Sequence, residues 1–266
     1  MRKSITSVQN TAVKKLIQLK EKSRERKKRS LFVIEGWREM NLARNSGYNI
    51  LEIWICNPIF KADFERILTD FSSNIPVFEC SQEVYGKIAH RGSTEGIIAV
   101  AEAKEHTLSN LKLPDNPLIL IAEAPEKPGN IGALLRTADA AGVDAFILAN
   151  PKTDLYNPNT IRSSVGAVFT VPIGLGTSLE TIDFLAEREI AIYSAILQES
   201  LPYQQMDYTK PTAIAVGTEA EGLSNLWRKN GKKNIQIPMQ GNLDSMNVSV
   251  AAGILIFEAR RQRGFK

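Results

Sequence analysis

Three stretches in the second half of this 266-residue chain carry side chains that could do chemistry. The first, residues 123–142, reads EAPEKPGNIGALLRTADAAG. Pro128-Gly129 makes a turn, Asn130 can cap a helix over 131–141, and Arg136 falls on that helix's second turn. Helical side chains lean toward the N-terminus, so the guanidinium can reach back over the loop. An anion held there would meet free N–H groups, the helix dipole and a planar fork of donors. The competing reading of Arg136 is a surface ion pair with Asp139 or Asp144. The glycines do not follow the G-x-G-x-x-G dinucleotide fingerprint.

The second stretch, residues 217–224, reads GTEAEGLS and follows an apolar strand over 212–217. Gly217 and Gly222 permit close backbone approach or positive φ, and Glu219 and Glu221 flank the turn. Alone, this is equally a strand-to-helix turn with exposed carboxylates. The third stretch, residues 234–260, reads NIQIPMQGNLDSMNVSVAAGILIFEAR. It predicts a buried strand over 235–239, a polar loop over 240–246, and a helix that Asn247 caps. A purely structural strand and helix would not ask for Asp244, Ser245, Asn247 and Ser249 together. The helix carries two apolar stripes, Val248, Ala251, Ala252, Leu255 and Ala259 on one and Val250, Ile254 and Phe257 on the other. A helix apolar most of the way round is buried against a sheet or a second chain.

The elements that must position these loops alternate along the chain. Strands are predicted at 31–34, 51–56, 75–80 and 97–101, with helices at 10–19, 37–44, 64–71 and 81–89. This predicts a small three-layer α/β domain over 1–110. LKLPDNP, residues 111–117, reads as a linker. A second α/β domain over 118–266 follows, with strands at 118–122, 144–149, 171–174, 190–197, 212–217 and 235–239 and helices at 131–141, 159–169 and 178–189.

Hydrophobic content of 43% with 23% charged residues fits a globular chain. No apolar run approaches a membrane span, and the polar N-terminus lacks a signal peptide's apolar core. Cys56 and Cys80 read as buried thiols of a reducing cytosol, and His90 and His106 lack zinc-site spacing, so no metal is expected. Residues 1–110 hold 18 Lys+Arg against 13 Asp+Glu, while residues 111–266 hold 15 against 16. The positive excess is therefore confined to the front, which suggests contact with a polyanion. Its densest run is KEKSRERKKR, in which Lys20, Lys22, Arg24, Arg26, Lys27, Lys28 and Arg29 are candidates for phosphate contact. A solvated loop or helix end would look the same.

The three stretches together resemble the signature motifs of the SpoU (TrmH-like) family of RNA ribose 2′-O-methyltransferases. N-x-G-x-x-x-R-T-A is matched by Asn130, Gly132, Arg136, Thr137 and Ala138, and G-x-E-x-x-G-[LM] by Gly217, Glu219, Gly222 and Leu223. The IPM of Ile237, Pro238 and Met239, the S-x-N-V-S-V-A-A from Ser245 to Ala252 and the following Glu258 match the third. Met246 stands where that family usually has Leu, an apolar residue of similar volume. The resemblance implies an α/β-knot domain, with a deep trefoil knot, that binds S-adenosylmethionine. It places Gly217, Thr218, Ile237, Met239, Ser245 and Met246 at the cofactor, and Arg136, Asn130, Glu219, Asn247 and Ser249 at the catalytic centre. It also implies a homodimer and an RNA substrate, ribosomal in preference to transfer RNA. The front domain, through FVIEG and the helix after it, resembles the ribosomal-protein-L30e-like substrate domain of such enzymes. A knotted base methyltransferase and a non-catalytic RNA-binding protein are the alternatives. The Asn130/Arg136 pair argues against the first, and the intact motifs against the second.

Overall fold

A computed structural model describes residues 2–69, 71, 74–90, 95–218, 221–242 and 244–265. The chain forms two compact units, one of Met1–Lys104 with Tyr156–Arg162, the other of Glu105–Leu155 with Ser163–Lys266. The units therefore part at 104/105, ahead of the predicted linker. The reason is local: Leu108 packs on Gly174 and Gly176, where an added Cβ would meet it at 3.0 and 2.9 Å.

The front unit runs β1 (Arg2–Ile5), α1 (Thr11–Glu21), α2 (Ser23–Arg29), β2 (Leu31–Glu35), α3 (Trp37–Asn45), β3 (Ile50–Ile55), α4 (Phe64–Leu68), β4 (Val77–Cys80), α5 (Gln82–Ile88) and β5 (Ile97–Glu102). Its sheet has the order β1-β4-β3-β5-β2, with β5 antiparallel to both neighbours. Helices α1 and α5 bury Val13, Leu16, Leu19, Val84 and Ile88 on one face, against Val33, Trp54, Ile98 and Val100. The alternate residues Phe32, Ile34, Ile53, Ile55 and Ile97 are buried as well, so both faces are covered. Asn10 and Ser81 cap α1 and α5 through their side chains. Strand β1 is absent from the sequence-based expectation, because RKSI offers one buried residue and no alternation.

The segment Tyr156–Arg162, from the second half of the chain, completes this front unit. The Tyr156 ring stacks on Phe32 at 4.1 Å, its hydroxyl lies 3.1 Å from that of Tyr48, and it accepts from the Lys104 N–H at 3.1 Å. No spacing rule flags such a return.

The rear unit holds β6 (Leu118–Glu123), α6 (Pro128–Ala141), β7 (Ala145–Ala149), the end of α7 (Pro158–Ser164), α8 (Ala167–Thr170), β8 (Ile173–Gly176), α9 (Ser178–Ala186), β9 (Ala191–Ala195), β10 (Leu201–Pro202), β11 (Thr212–Val216), α10 (Asn225–Asn230), β12 (Lys233–Gln236) and α11 (Val248–Gln262). Its strands order as β10-β12-β9-β11-β6-β7-β8, and every pairing is parallel. One face packs on α9 and Trp227, the other on α6 and α11. The helix predicted over 159–169 is broken, because Val165 and Gly166 take φ of 53° and 89°. The strand predicted over 235–239 instead ends at Gln236, before Pro238, which has no N–H for a ladder.

Candidate active site

All three motif loops leave the carboxyl ends of parallel strands, β6, β11 and β12, which is where open α/β sheets hold ligands. β11 lies beside β6, with Val216 opposite Ala122, so the first two loops start side by side.

The loop after β6 opens with Ala124 at φ 47°, a left-handed conformation that costs an alanine about 1 kcal/mol. Helix α6 begins at Pro128, earlier than predicted, with Lys127 at the cap position and no side-chain cap bond. Proline at the first position has its φ already set for a helix. Asn130 is therefore in the first turn and not the cap, and Arg136 sits on the third turn, exposed. The donor supply at this helix start is also thinner than the sequence suggests. Pro128 has no N–H, and those of Asn130 and Ile131 go to the Lys127 carbonyl at 3.0 and 3.2 Å. Gly132 is required for packing: a Cβ there would lie 1.9 Å from Ser163 Oγ. Both acids that could have paired with Arg136 are engaged elsewhere. Asp139 accepts from the Thr170 hydroxyl at 2.9 Å, and Asp144 from the Leu118 N–H at 2.7 Å. No described residue hydrogen-bonds or ion-pairs with Arg136, so its guanidinium is available to an incoming anion.

The loop after β11 folds back on itself. Thr218 and Gly222 exchange two backbone hydrogen bonds of 3.1 Å, and Thr218 Oγ1 accepts from the Glu221 N–H at 3.0 Å. Gly222 holds φ 68°, and a Cβ on Gly217 would lie 2.0 Å from the Gly222 carbonyl carbon. Gly217 is thus needed by the loop itself. Glu219 lies outside the described residues.

Sequence reasoning missed the group that anchors this loop. Glu123, buried at the end of β6, accepts from the Ser178 hydroxyl at 2.7 Å, the Ser224 N–H at 2.6 Å and the Ser224 hydroxyl at 2.7 Å. Ser178 Oγ in turn accepts from Trp227 Nε1 at 3.1 Å and Asn150 Nδ2 at 3.0 Å. A signal was available: Glu123 closes a strand whose other residues are all apolar.

The loop after β12 leaves Ile237, Met239 and Met246 half-buried and Ser245 exposed. Asn247 caps α11 as predicted, its Oδ1 accepting from the Ser249 N–H at 2.9 Å and the Ser249 hydroxyl at 2.6 Å. The Asn247 amide reaches Asn130 Oδ1 at 3.5 Å, which brings the first and third motifs together. Behind that contact α11 lies on α6, β11 and β6, burying Ala252, Leu255, Ile256 and Ala259. The second stripe is not covered by the chain: Val250 is 53% and Phe257 40% exposed. The helix end is also fixed. Arg260 donates to the Ala141 and Gly142 carbonyls, capping α6, and Arg263 donates to the carbonyls of Tyr208, Asn116, Pro117 and Lys210. Burial holds the Arg263 guanidinium below its ordinary pKa.

In the front unit, two of the seven proposed phosphate contacts are structural instead. The half-buried Lys20 donates to the Ile88 and Ala89 carbonyls at 2.8 and 3.1 Å, capping α5, and burial lowers its pKa. Arg26 is buried and donates to the Leu19 and Lys20 carbonyls at 2.9 and 2.7 Å, which close α1. Arg29 ion-pairs with Glu25 at 3.2 Å. Lys22, Arg24, Lys27 and Lys28 remain exposed.

A parallel α/β sheet with three motif loops at its carboxyl edge is an arrangement that holds ligands, and the chain's other unit carries exposed basic residues on α2. Residues 117–257 match the SpoU rRNA Methylase family, and residues 10–99 match the MRM3-like substrate binding domain. The Bacillus subtilis 23S rRNA (guanosine(2553)-2′-O)-methyltransferase RlmP is 31% identical over 97% of this chain and 99% of its own. A solved RNA 2′-O ribose methyltransferase superposes with TM-score 0.85 at 35% identity, covering 99% of each chain. The AdoMet-bound rRNA methyltransferase from Sinorhizobium meliloti superposes with TM-score 0.90 at 27% identity, covering 98% of each. The chain belongs to the SpoU methylase family.

Proposed function

We propose that this protein transfers a methyl group from S-adenosylmethionine to a ribose 2′-hydroxyl of ribosomal RNA. The observation that carries the reading is the convergence of the motif loops at the carboxyl ends of β6, β11 and β12, with Asn247 and Asn130 in contact. Its substrate class follows from similarity along the whole chain to an enzyme named for 23S rRNA.

The cofactor fits what the rear unit offers. Half-buried Ile237, Met239 and Met246 give an apolar lining, and the backbone beyond β12 has left the ladder, so its N–H and C=O groups can meet adenine without charge. Thr218 and Ser245 complete that wall. S-adenosylmethionine, when bound, supplies an electrophilic methyl on a sulfonium. The protein must then align the hydroxyl, exclude water and help the proton depart. A guanidinium presents donors and no acceptor, which suits Arg136 to gripping an anion. Its role is to grip the phosphate beside the target ribose and stabilise the emerging alkoxide. Asn130 and Asn247 fix the two loops against each other, and Ser249 completes the Asn247 cap.

RNA is held in part by the front unit, through Lys22, Arg24, Lys27, Lys28 and the outer side of Arg29. The exposed stripe of Val250, half-exposed Ile254 and Phe257 supports a two-fold dimer through α11. Strand β12 is separated from β11 by β9, yet α11 returns to pack on β11, β6 and α6, which supports a knotted path for the chain end. A cytoplasmic location follows from a ribosomal substrate. Among the described residues no helix is long and apolar enough to cross a membrane.

The test is methyl transfer from labelled cofactor to purified ribosomal and transfer RNA, followed by alkaline digestion. A 2′-O-methyl removes the nucleophile for alkaline cleavage, so the label should emerge in an alkali-resistant dinucleotide of large-subunit RNA. Label in a base, or none, would overturn the reading.

A further inference from the structure

Glu123 is a buried carboxylate, and no described cation pairs with it. An ion in that position is tolerated only where donors replace its water. Here three donors reach it, two serine hydroxyls and one backbone N–H. The Ser178 hydroxyl accepts from Trp227 Nε1 and Asn150 Nδ2, both obligate donors, so its single proton is left for Glu123 Oε1. Ser224 presents its N–H to Oε2 and its hydroxyl to Oε1. The network therefore has a direction and ends on an acceptor-only group. The start of α9, at Ser178, adds a favourable dipole end at the same place.

Ser224 closes the stretch that begins at Gly217, on the strand next to the one Glu123 ends. Between those points Thr218 and Gly222 exchange two backbone hydrogen bonds, so Thr218 is coupled through Gly222 to the segment that ends at Ser224. One end of the loop is β11; the other is the bond to Glu123. We infer that Glu123 is a positioning residue for the cofactor: through Ser224 it holds the loop from Gly217 in the register that binds S-adenosylmethionine. The inference rests on the function proposed above and goes beyond it by assigning a group outside the three motif patterns.

Glu123→Gln keeps the shape but sets an NH2 against a shell of donors. One of Ser178 or Ser224 must then turn away, and the far end of the loop is released. The cofactor dissociation constant, measured by calorimetry well below the unfolding temperature, should rise about tenfold, the scale of one unsatisfied buried partner. KM for the cofactor should rise more than kcat falls, and RNA affinity without cofactor should not change. Ser224→Ala, which removes a hydroxyl alone, should give roughly a threefold rise. The double variant should be less than additive, since both act through one bond. Cofactor affinity within twofold of the parent in Glu123→Gln, with only a lower unfolding temperature, would reduce Glu123 to a structural residue and sink the inference. If Glu123→Gln does not fold, an unchanged affinity in Ser224→Ala does the same. A parent chain that binds no cofactor would instead overturn the proposed function, and this inference with it.

Discussion

Arg136→Lys keeps the positive charge on the third turn of α6 but loses the planar fork that grips a phosphate at two points. Methyl transfer in single turnover should fall roughly a hundredfold, as expected for one misplaced positioning group, with cofactor and RNA affinities nearly unchanged. Near-parental rates in both Arg136→Lys and Arg136→Ala would remove it from the mechanism. Gly217 is a poorer probe than its motif suggests. A side chain there strikes the Gly222 backbone before it reaches any ligand, so Gly217→Val reports on loop folding as much as on the cofactor. The thiols offer a different test. Burial, followed by the neighbouring Cys56, pushes the Cys80 thiol up to about 12, and burial raises Cys56 too. The thiolate is the reactive form, so at pH 8 iodoacetamide should leave both unlabelled until the protein is unfolded, as read by mass spectrometry.

At the scale of elements, α2 separates two kinds of basic residue that a charge count treats alike. Replacing Lys22, Arg24, Lys27 and Lys28 by Gln should weaken RNA binding and lower its dependence on salt, because fewer counterions are released. Stability should barely change. Arg26→Ala should do the reverse, since it uncaps the buried carbonyls that end α1 and costs about 1–3 kcal/mol in urea unfolding. An unchanged salt slope in the first variant returns this helix to an ordinary solvated face. The return of Tyr156 to the front unit is a second element-level device. Tyr156→Ala removes a ring stacked on Phe32 and should cost about 3–5 kcal/mol. Tyr156→Phe, which loses only the hydroxyl bonds, should cost about 1 kcal/mol.

For the whole molecule the outstanding feature is the uncovered side of α11. One stripe of that helix is spent on α6 and the sheet, while Val250 and Phe257 face outward. Light scattering at micromolar concentration should return the mass of two chains, and Phe257→Glu should return one. A parent that scatters as a single chain would overturn the two-fold dimer.

Much of the site was legible because its chemistry is local. Asn247 caps a helix two residues from the Ser249 it bonds, Gly222 meets the need for positive φ, and the short apolar runs of β6, β7 and β11, bounded by turn residues, read as buried strands. The motif residues, the strand order of their loops along the chain and the basic front were therefore determined by sequence alone. Tertiary structure decided what depends on distant partners. It gave Lys20 and Arg26 to carbonyl groups, returned Tyr156 to the front unit and tied Glu123 to Ser224 across 101 positions. A lysine that caps a helix and one that waits for phosphate are the same letter. Only the burial of the carbonyl it faces tells them apart, and that burial is made by chain folded in from elsewhere.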